Sequence, residues 1–185
     1  MQEAKEDKRV RYTKLFLKES LLELMKEKPV DRITTTELCR KAEINRNTFY
    51  SHFNTVRDVL EIIESEVEQK IMSLLDFKQS PNEMMPKIMQ SIHQSNDVYK
   101  ILLSPNGDFM FMRKLFYKLE EKVGNEIQRQ QIKIDKDYMH YLFSFLFFGC
   151  ISIVRNWLDE GMKQSPEDIT KFMLGLVTKG METFS

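Results

Sequence analysis

Turn-forming residues are scarce in this sequence, which has 6 glycines and 5 prolines among its 185 residues. Long stretches without either residue are typical of helices, because a sheet-rich protein uses both in its frequent turns. The sequence therefore predicts an all-α fold. Hydrophobic residues make up 42% of the chain and charged residues 30%, a balance that argues against a disordered chain and allows a packed core.

Cysteines and long apolar runs are also few. Cys39 and Cys150 are far apart in the sequence and form no Cys-x-x-Cys pair, so we expect neither a disulfide framework nor a zinc site, and a cytoplasmic location. No basic segment followed by an apolar stretch and a small-residue cleavage site opens the chain, which indicates no signal peptide. The longest apolar run, residues 142–154, is short and contains two serines. We therefore expect a buried helix there and no membrane partner.

Positive charge is concentrated near the N-terminus, although the net charge of the chain is zero. Residues 8–57 contain twelve Lys or Arg and six Asp or Glu. A basic segment joined to an acidic remainder fits a DNA-reading domain on a body without DNA contacts. Solvated helix faces produce a similar imbalance, so charge alone leaves both interpretations open.

Apolar periodicity and helix-end signals predict about nine helices. Their ranges are residues 8–28, 34–42, 46–53, 55–74, 83–95, 97–103, 109–132, 136–160 and 166 onwards. We expect two domains: residues 1–54, which contain three of the helices, and residues 55–185, which contain the others.

The second and third predicted helices are short and separated by three residues, a spacing that fits a helix-turn-helix. The small or apolar residues that would pack them together are Leu38, Cys39, Ala42, Ile44, Phe49 and Phe53. The outward residues of the third helix are Arg46, Asn47, Thr48, Tyr50, Ser51 and His52, all able to hydrogen-bond to bases or phosphates. An ordinary helical hairpin with a solvated face has the same pattern.

The stretch from Ile33 to Phe53 resembles the DNA-binding domain of the tetracycline-repressor (TetR/AcrR) family. Its most specific part is Thr48-Phe49-Tyr50-Ser51-His52-Phe53, which follows a threonine-rich helix start at residues 34–36. A weaker resemblance extends from Phe148 to Ile169. The resemblance implies a DNA-binding domain followed by an effector-binding and dimerisation domain, in a homodimer that binds a palindromic operator.

The resemblance also implies roles for individual residues. The implied DNA contacts are Thr35, Thr36, Arg46, Asn47, Thr48, Tyr50, Ser51, His52 and Arg57. Among them Tyr50, His52 and the two threonines are expected on phosphates, and the remaining residues of the third helix near base edges. The chain departs from the family at Glu43 and Asn47, where glycine is usual, and at Val56, where a phosphate-binding lysine is common. Arg57 is the candidate replacement for that lysine.

Small residues among large apolar ones in the last two helices would let a second copy approach closely. We therefore expect a homodimer interface that includes Gly149, Ser152, Ile153, Trp157, Phe172 and Gly175, although packing within one chain could use the same residues.

Methionine and phenylalanine are frequent in the central helices and can surround a mostly apolar ligand. The candidate effector-pocket residues are Met89, Phe109, Met112, Phe116, Phe143 and Phe147.

Other functional classes have less support. A helical enzyme would need a nucleophile-base pair, a metal cluster or a phosphate loop, and the sequence has no His-Glu-x-x-His and no glycine-rich phosphate motif. We therefore expect no enzyme, no metal and no cofactor. Two alternatives to a ligand-responsive repressor stay open: an activator or coactivator with the same DNA-binding helices, and a helical adaptor that binds a protein and no specific DNA.

Overall fold

The computed structural model of the chain describes residues 8–129 and 136–182. Over these residues it contains nine α-helices, one short 3₁₀ turn (Val30–Arg32) and no β-strand, which confirms the all-α prediction. The helices are α1 Lys8–Met25, α2 Thr35–Lys41, α3 Arg46–Tyr50, α4 Val56–Leu74, α5 Pro81–Gln94, α6 Asn96–Leu102, α7 Phe109–Arg129, α8 Lys136–Asp159 and α9 Pro166–Glu182. The predicted end of the seventh helix at residue 132 lies outside the described residues.

The described residues belong to two compact units. The first unit reaches to Val67 and also includes Ser104–Asp108, the connection between α6 and α7. The second unit comprises Glu68–Leu103 and the chain from Phe109 onwards. The domain boundary predicted after residue 54 falls inside the first unit, just before α4 begins.

The core of the first unit is formed by one face of each of its four helices. The buried residues are Leu17, Leu21 and Met25 on α1, Leu38 and Cys39 on α2, Phe49 on α3, Phe53 after it, and Val56, Val59, Leu60 and Ile63 on α4. Burial raises the pKa of the Cys39 thiol, so the neutral form is favoured and Cys39 acts as a small apolar side chain.

Local hydrogen bonds explain where α2 begins and ends. The Thr34 hydroxyl accepts from the backbone N–H of Glu37 at 3.2 Å, and the Glu37 carboxylate accepts from the backbone N–H of Thr34 at 3.5 Å, a reciprocal cap. At the other end, the Ile44 N–H donates to the Cys39 carbonyl at 2.9 Å. That bond encloses Glu43, whose φ of 55° lies in the left-handed region, so the turn places a side chain where glycine is preferred.

In the second unit, α5 packs along α9, while α8 contacts α6, α7 and α9. Its core includes Met89, Leu102, Leu115, Trp157 and Met173. The α8 helix ends at a left-handed Gly161 with φ of 80°, and the Met162 N–H donates to the Trp157 carbonyl at 2.8 Å. This is the helix end that the sequence predicted from the glycine.

Helix α8 is long and apolar enough, over Asp137–Asp159, to cross a membrane by length and composition alone. Only 22% of its apolar window is buried within the chain. The apolar run 142–154, predicted to be buried, is buried only in part: Phe147 and Val154 are buried, Phe145 and Phe148 are exposed, and most of the other residues are half-buried. An apolar run indicates that a surface must be covered, but not that the same chain covers it.

Candidate nucleic-acid interface

Helices α2 and α3 are held together by apolar side chains beneath an exposed polar face. Leu38 of α2 and Phe49 of α3 are completely buried. The Phe49 ring lies 5.6 Å from that of Phe53, centroid to centroid. Asn45 caps α3, because its side-chain oxygen accepts from the Asn47 N–H at 2.8 Å. One side of α3 is thus held against the core, and its opposite side makes no contact with the core.

The predicted DNA-contacting residues lie on this part of the first unit, with different degrees of exposure. The exposed ones are Thr36, Arg46, Asn47, Tyr50 and Ser51, and the half-buried ones are Thr35, Thr48, His52 and Arg57. Ser51 is already engaged, since its hydroxyl donates to the Thr48 carbonyl at 2.7 Å. These positions supply the hydroxyl, amide and guanidinium groups that nucleic-acid contacts use.

Arg46, Tyr50 and Thr35 form a small cluster that joins α3 to α2. The Arg46 guanidinium carbon lies 6.0 Å from the centre of the Tyr50 ring, within the range of a cation–π contact. Hydrogen bonds from Arg46 and then from Thr35 lower the pKa of the Tyr50 hydroxyl. The cluster therefore presents a cation and two hydroxyl groups side by side, a combination suited to a phosphate.

Arg57, the candidate replacement for a phosphate-binding lysine, has both ends of its guanidinium occupied. Its Nη1 donates to Asp108 at 2.5 Å and its Nη2 donates to Asp31 at 2.8 Å. These two carboxylates raise its pKa. A phosphate would have to displace one of them, so we remove Arg57 from the proposed DNA contacts. Val56 beside it is only 7% exposed and contributes to the core.

The connection between α6 and α7 is the part of this unit that sequence reasoning missed. Asp108 pairs with Arg57, and the Asn106 side chain donates to the Met25 carbonyl at the end of α1, at 3.0 Å. The segment Ser104–Asp108 was recognisable as a turn from its Ser, Pro, Asn and Gly residues. Nothing local reveals partners that lie 51 and 81 positions away.

The candidate effector residues do not form one group. Phe116, Phe143 and Phe147 contact one another, with ring centroids 5.2 to 6.1 Å apart. Met89 is buried and Met112 half-buried, whereas Phe109 is 70% exposed. A half-open groove of about 390 Å3 lies on the first unit, between α1 and the α2–α3 turn, and none of these six residues lines it.

The candidate dimer residues differ in their exposure to solvent. Gly149, Ser152, Phe172 and Gly175 are exposed, and a β-carbon added at either glycine would meet no other atom within 4 Å. Ile153 is half-buried. Trp157 is 3% exposed and donates from its ring nitrogen to the Gln164 carbonyl at 2.9 Å. We therefore leave Trp157 out of the proposed interface.

Among residues 8–129 and 136–182, no group of three or more His, Cys, Asp or Glu side chains could hold a metal ion.

Comparison with known sequences gives two matches. Residues 79–179 match the family model TetR_C_8, described as a transcriptional regulator C-terminal region. The uncharacterized HTH-type transcriptional regulator YxbF of Bacillus subtilis (strain 168) is 22% identical over 174 residues. That alignment covers 88% of this chain and 44% of the relative, so the chain spans less than half of the relative's length.

Solved structures share the fold. A TetR transcriptional regulator from Streptococcus agalactiae 2603V has 23% identity and a TM-score of 0.69, covering 92% of this chain and 96% of that one. FadR from Bacillus subtilis, solved in complex with stearoyl-CoA, has 15% identity and a TM-score of 0.64, covering 88% and 96%. At these identities the likeness is one of fold.

Proposed function

This chain belongs to the TetR family of transcriptional regulators, and we propose that it acts as a homodimeric repressor on a near-palindromic operator. The observation that carries the proposal is the α2–α3 arrangement. Phe49 is completely buried while Arg46, Asn47 and Tyr50 of the same short helix are exposed. A rigidly supported helix with exposed donors and acceptors is what major-groove recognition requires.

The proposed dimer would be formed by α8 and α9. Tyr138, Tyr141, Phe145 and Phe148 are exposed at alternating spacings of three and four residues along α8. That spacing is the seam by which helices pack against one another. Exposed Phe172 lies on α9. A large exposed apolar surface on a soluble protein usually marks an interaction site, and a second copy would supply a matching one.

A matched pair of substitutions tests the dimer. Phe145→Glu places a charge on the proposed interface, and Phe109→Glu does so on α7, outside it; the two phenylalanines are 76% and 70% exposed. Light scattering should give twice the chain mass of 22.1 kDa for the wild type and for Phe109→Glu. Phe145→Glu should shift the population towards the single-chain mass. A wild-type mass of one chain at micromolar concentration would contradict the proposal.

Operator binding is tested by selection from a random duplex library, followed by titration of the enriched sequence at several salt concentrations. We expect two related half-sites, one for each recognition helix of the dimer, and affinity that falls steeply with salt. An adaptor protein would enrich no motif. Transcription from a promoter that overlaps the selected sequence then separates a repressor, which lowers the transcript level, from an activator, which raises it.

We further propose that a small, mostly apolar molecule releases the operator. The contacting rings of Phe116, Phe143 and Phe147 are the supporting observation, together with the long apolar acyl chain of the stearoyl-CoA in the Bacillus subtilis FadR structure. Such a molecule must bind the DNA-free form more tightly than the DNA-bound form, since equal affinity shifts nothing. Thermal melting with long-chain acyl compounds, and with sugar phosphates as controls, tests this class. Stabilisation by sugar phosphates alone would refute it.

The proposed regulator is cytoplasmic, needs no cofactor and catalyses no reaction. Its partners are operator DNA, a second copy of the chain and the effector.

A further inference from the structure

The exposed side chains of α3 fall into two adjacent rows. Residues four apart on a helix lie above one another, so Arg46 and Tyr50 form one row. Asn47 and Ser51 form the next, because Ser51, with φ of −73° and ψ of −12°, continues the helical path beyond Tyr50. The two rows face different directions, and therefore meet different parts of a bound duplex.

The row of Arg46 and Tyr50 faces α2. The Arg46 guanidinium carbon is 6.0 Å from the centre of the Tyr50 ring, and the Tyr50 hydroxyl interacts with Thr35 of α2. In a helix-turn-helix the first helix crosses the sugar-phosphate backbone while the second enters the groove. A side-chain row turned towards α2 is therefore placed to meet phosphate rather than base edges.

The row of Asn47 and Ser51 is turned by about 100° around the helix axis from the first row, and its side chains can form specific hydrogen bonds with bases. The Asn47 side chain is exposed, and its amide can accept from and donate to adenine at the same time. The Ser51 hydroxyl donates to the Thr48 carbonyl at 2.7 Å. While this bond is made its single proton is used, so towards DNA its oxygen accepts. An acceptor in the major groove selects the exocyclic amine of adenine or cytosine.

We infer that Asn47 and Ser51 read the operator sequence, whereas Arg46 and Tyr50 together bind a phosphate and carry little sequence information. This assignment rests on the proposed operator binding, and for Arg46 it replaces the expectation of a contact near base edges. Each half-site should contain an adenine read by Asn47 and, near it, an adenine or cytosine read by Ser51. Specificity would then depend on an asparagine that stands where the family usually has glycine.

The test is library selection and titration with the full chain and single-residue variants. For the wild type we expect an adenine at one position of each half-site. A bidentate contact favours the correct base over the others by about 5- to 150-fold. Asn47→Ala should lose this preference for adenine, and Asn47→Gln should retain part of it. Ser51→Ala should alter only the adenine-or-cytosine position. All these positions are solvent-facing, and circular dichroism verifies that each variant is folded.

Arg46→Ala is the decisive comparison. If Arg46 binds phosphate, this variant should select the wild-type motif, bind every duplex more weakly, and reduce the salt slope by about one for each recognition helix. The assignment would be overturned if Arg46→Ala selected a new base and Asn47→Ala selected the wild-type motif. Operator binding itself would remain supported. A wild-type protein that selects no motif would overturn the proposed function and this assignment together.

Discussion

Arg57 forms ion pairs with Asp108 and with Asp31, and the pair with Asp108 should stabilise the first unit far more than the pair with Asp31. The Asp108 side chain is 11% exposed, whereas Asp31 is 75% exposed and the shared Arg57 is 42% exposed. An ion pair in water is weak because solvent screens it, at about 0.2 to 1 kcal/mol. A hydrogen bond to a charged group that is largely removed from water contributes about 1.5 to 3 kcal/mol. The pair with Asp108 should therefore contribute most of the stabilisation.

Asp108→Asn and Asp31→Asn measure the contributions of the two ion pairs separately, because each substitution preserves the side-chain shape and removes its charge. Allowing for the partial exposure of Arg57, we expect Asp108→Asn to lower the free energy of unfolding by about 1 to 2 kcal/mol. For a chain of this length that corresponds to a fall of about 2 to 8 °C in Tm. Asp31→Asn should cost about 0.5 kcal/mol or less.

Thermal unfolding followed by circular dichroism measures these differences, at one fixed protein concentration because the proposed dimerisation would make Tm concentration-dependent. The most informative comparison is the double variant that carries both Arg57→Gln and Asp108→Asn. Arg57→Gln removes the charged partner of the largely buried Asp108 carboxylate, so Asp108→Asn should cost much less unfolding free energy in that background than in the wild type. Equal costs for the two aspartates, or additive effects of Arg57→Gln and Asp108→Asn, would refute the reasoning.

Three further predictions follow from single residues. Glu43→Gly should raise the unfolding free energy by about 0.5 to 1 kcal/mol, because it relieves the left-handed backbone; Glu43→Ala is the control, and an equal gain would point to charge instead. Asp58 accepts hydrogen bonds from the Thr55 hydroxyl and the Asn54 N–H, which lower its pKa below that of an ordinary aspartate. The stability that these bonds provide is fully present above the unfolded-state pKa and is lost as pH falls through the folded-state pKa. Asp58→Ala should therefore flatten the acid limb of the stability profile. Tyr50→Phe should weaken binding of all duplexes alike, without a new motif, in gel-shift titrations.

The helices could be predicted from sequence because their signals are local. Ser165 before Pro166 marked the start of α9, and its hydroxyl does accept from the Asp168 N–H at 3.1 Å. Gly161 marked the end of α8. Such caps involve residues three or four apart, so the chain itself carries the information.

Contacts between distant segments could not be predicted in the same way. Asp108 and Asn106 were recognisable as turn residues, but the partners that bring their segment into the first unit are far away in the sequence. Phe109 and Trp157 illustrate the same limit among apolar residues. Both were assigned to functional surfaces by type alone, yet one is 70% exposed and the other 3%. Residue type predicts a need for burial, and only packing determines where it is met.

The exposed face of α8 is better explained by a second copy of the chain than by lipid. A helix surrounded by lipid is apolar on every side, whereas the apolar exposure of α8 follows one seam, Tyr138, Tyr141, Phe145 and Phe148. The exposed Gly149 and Ser152 lie on this seam and would allow close approach of another helix. Arg155, further along α8, pairs with Asp159 at the end of the helix, at 3.7 Å. One seam of large and small residues that ends near an ion pair is the pattern of a helix-packing interface.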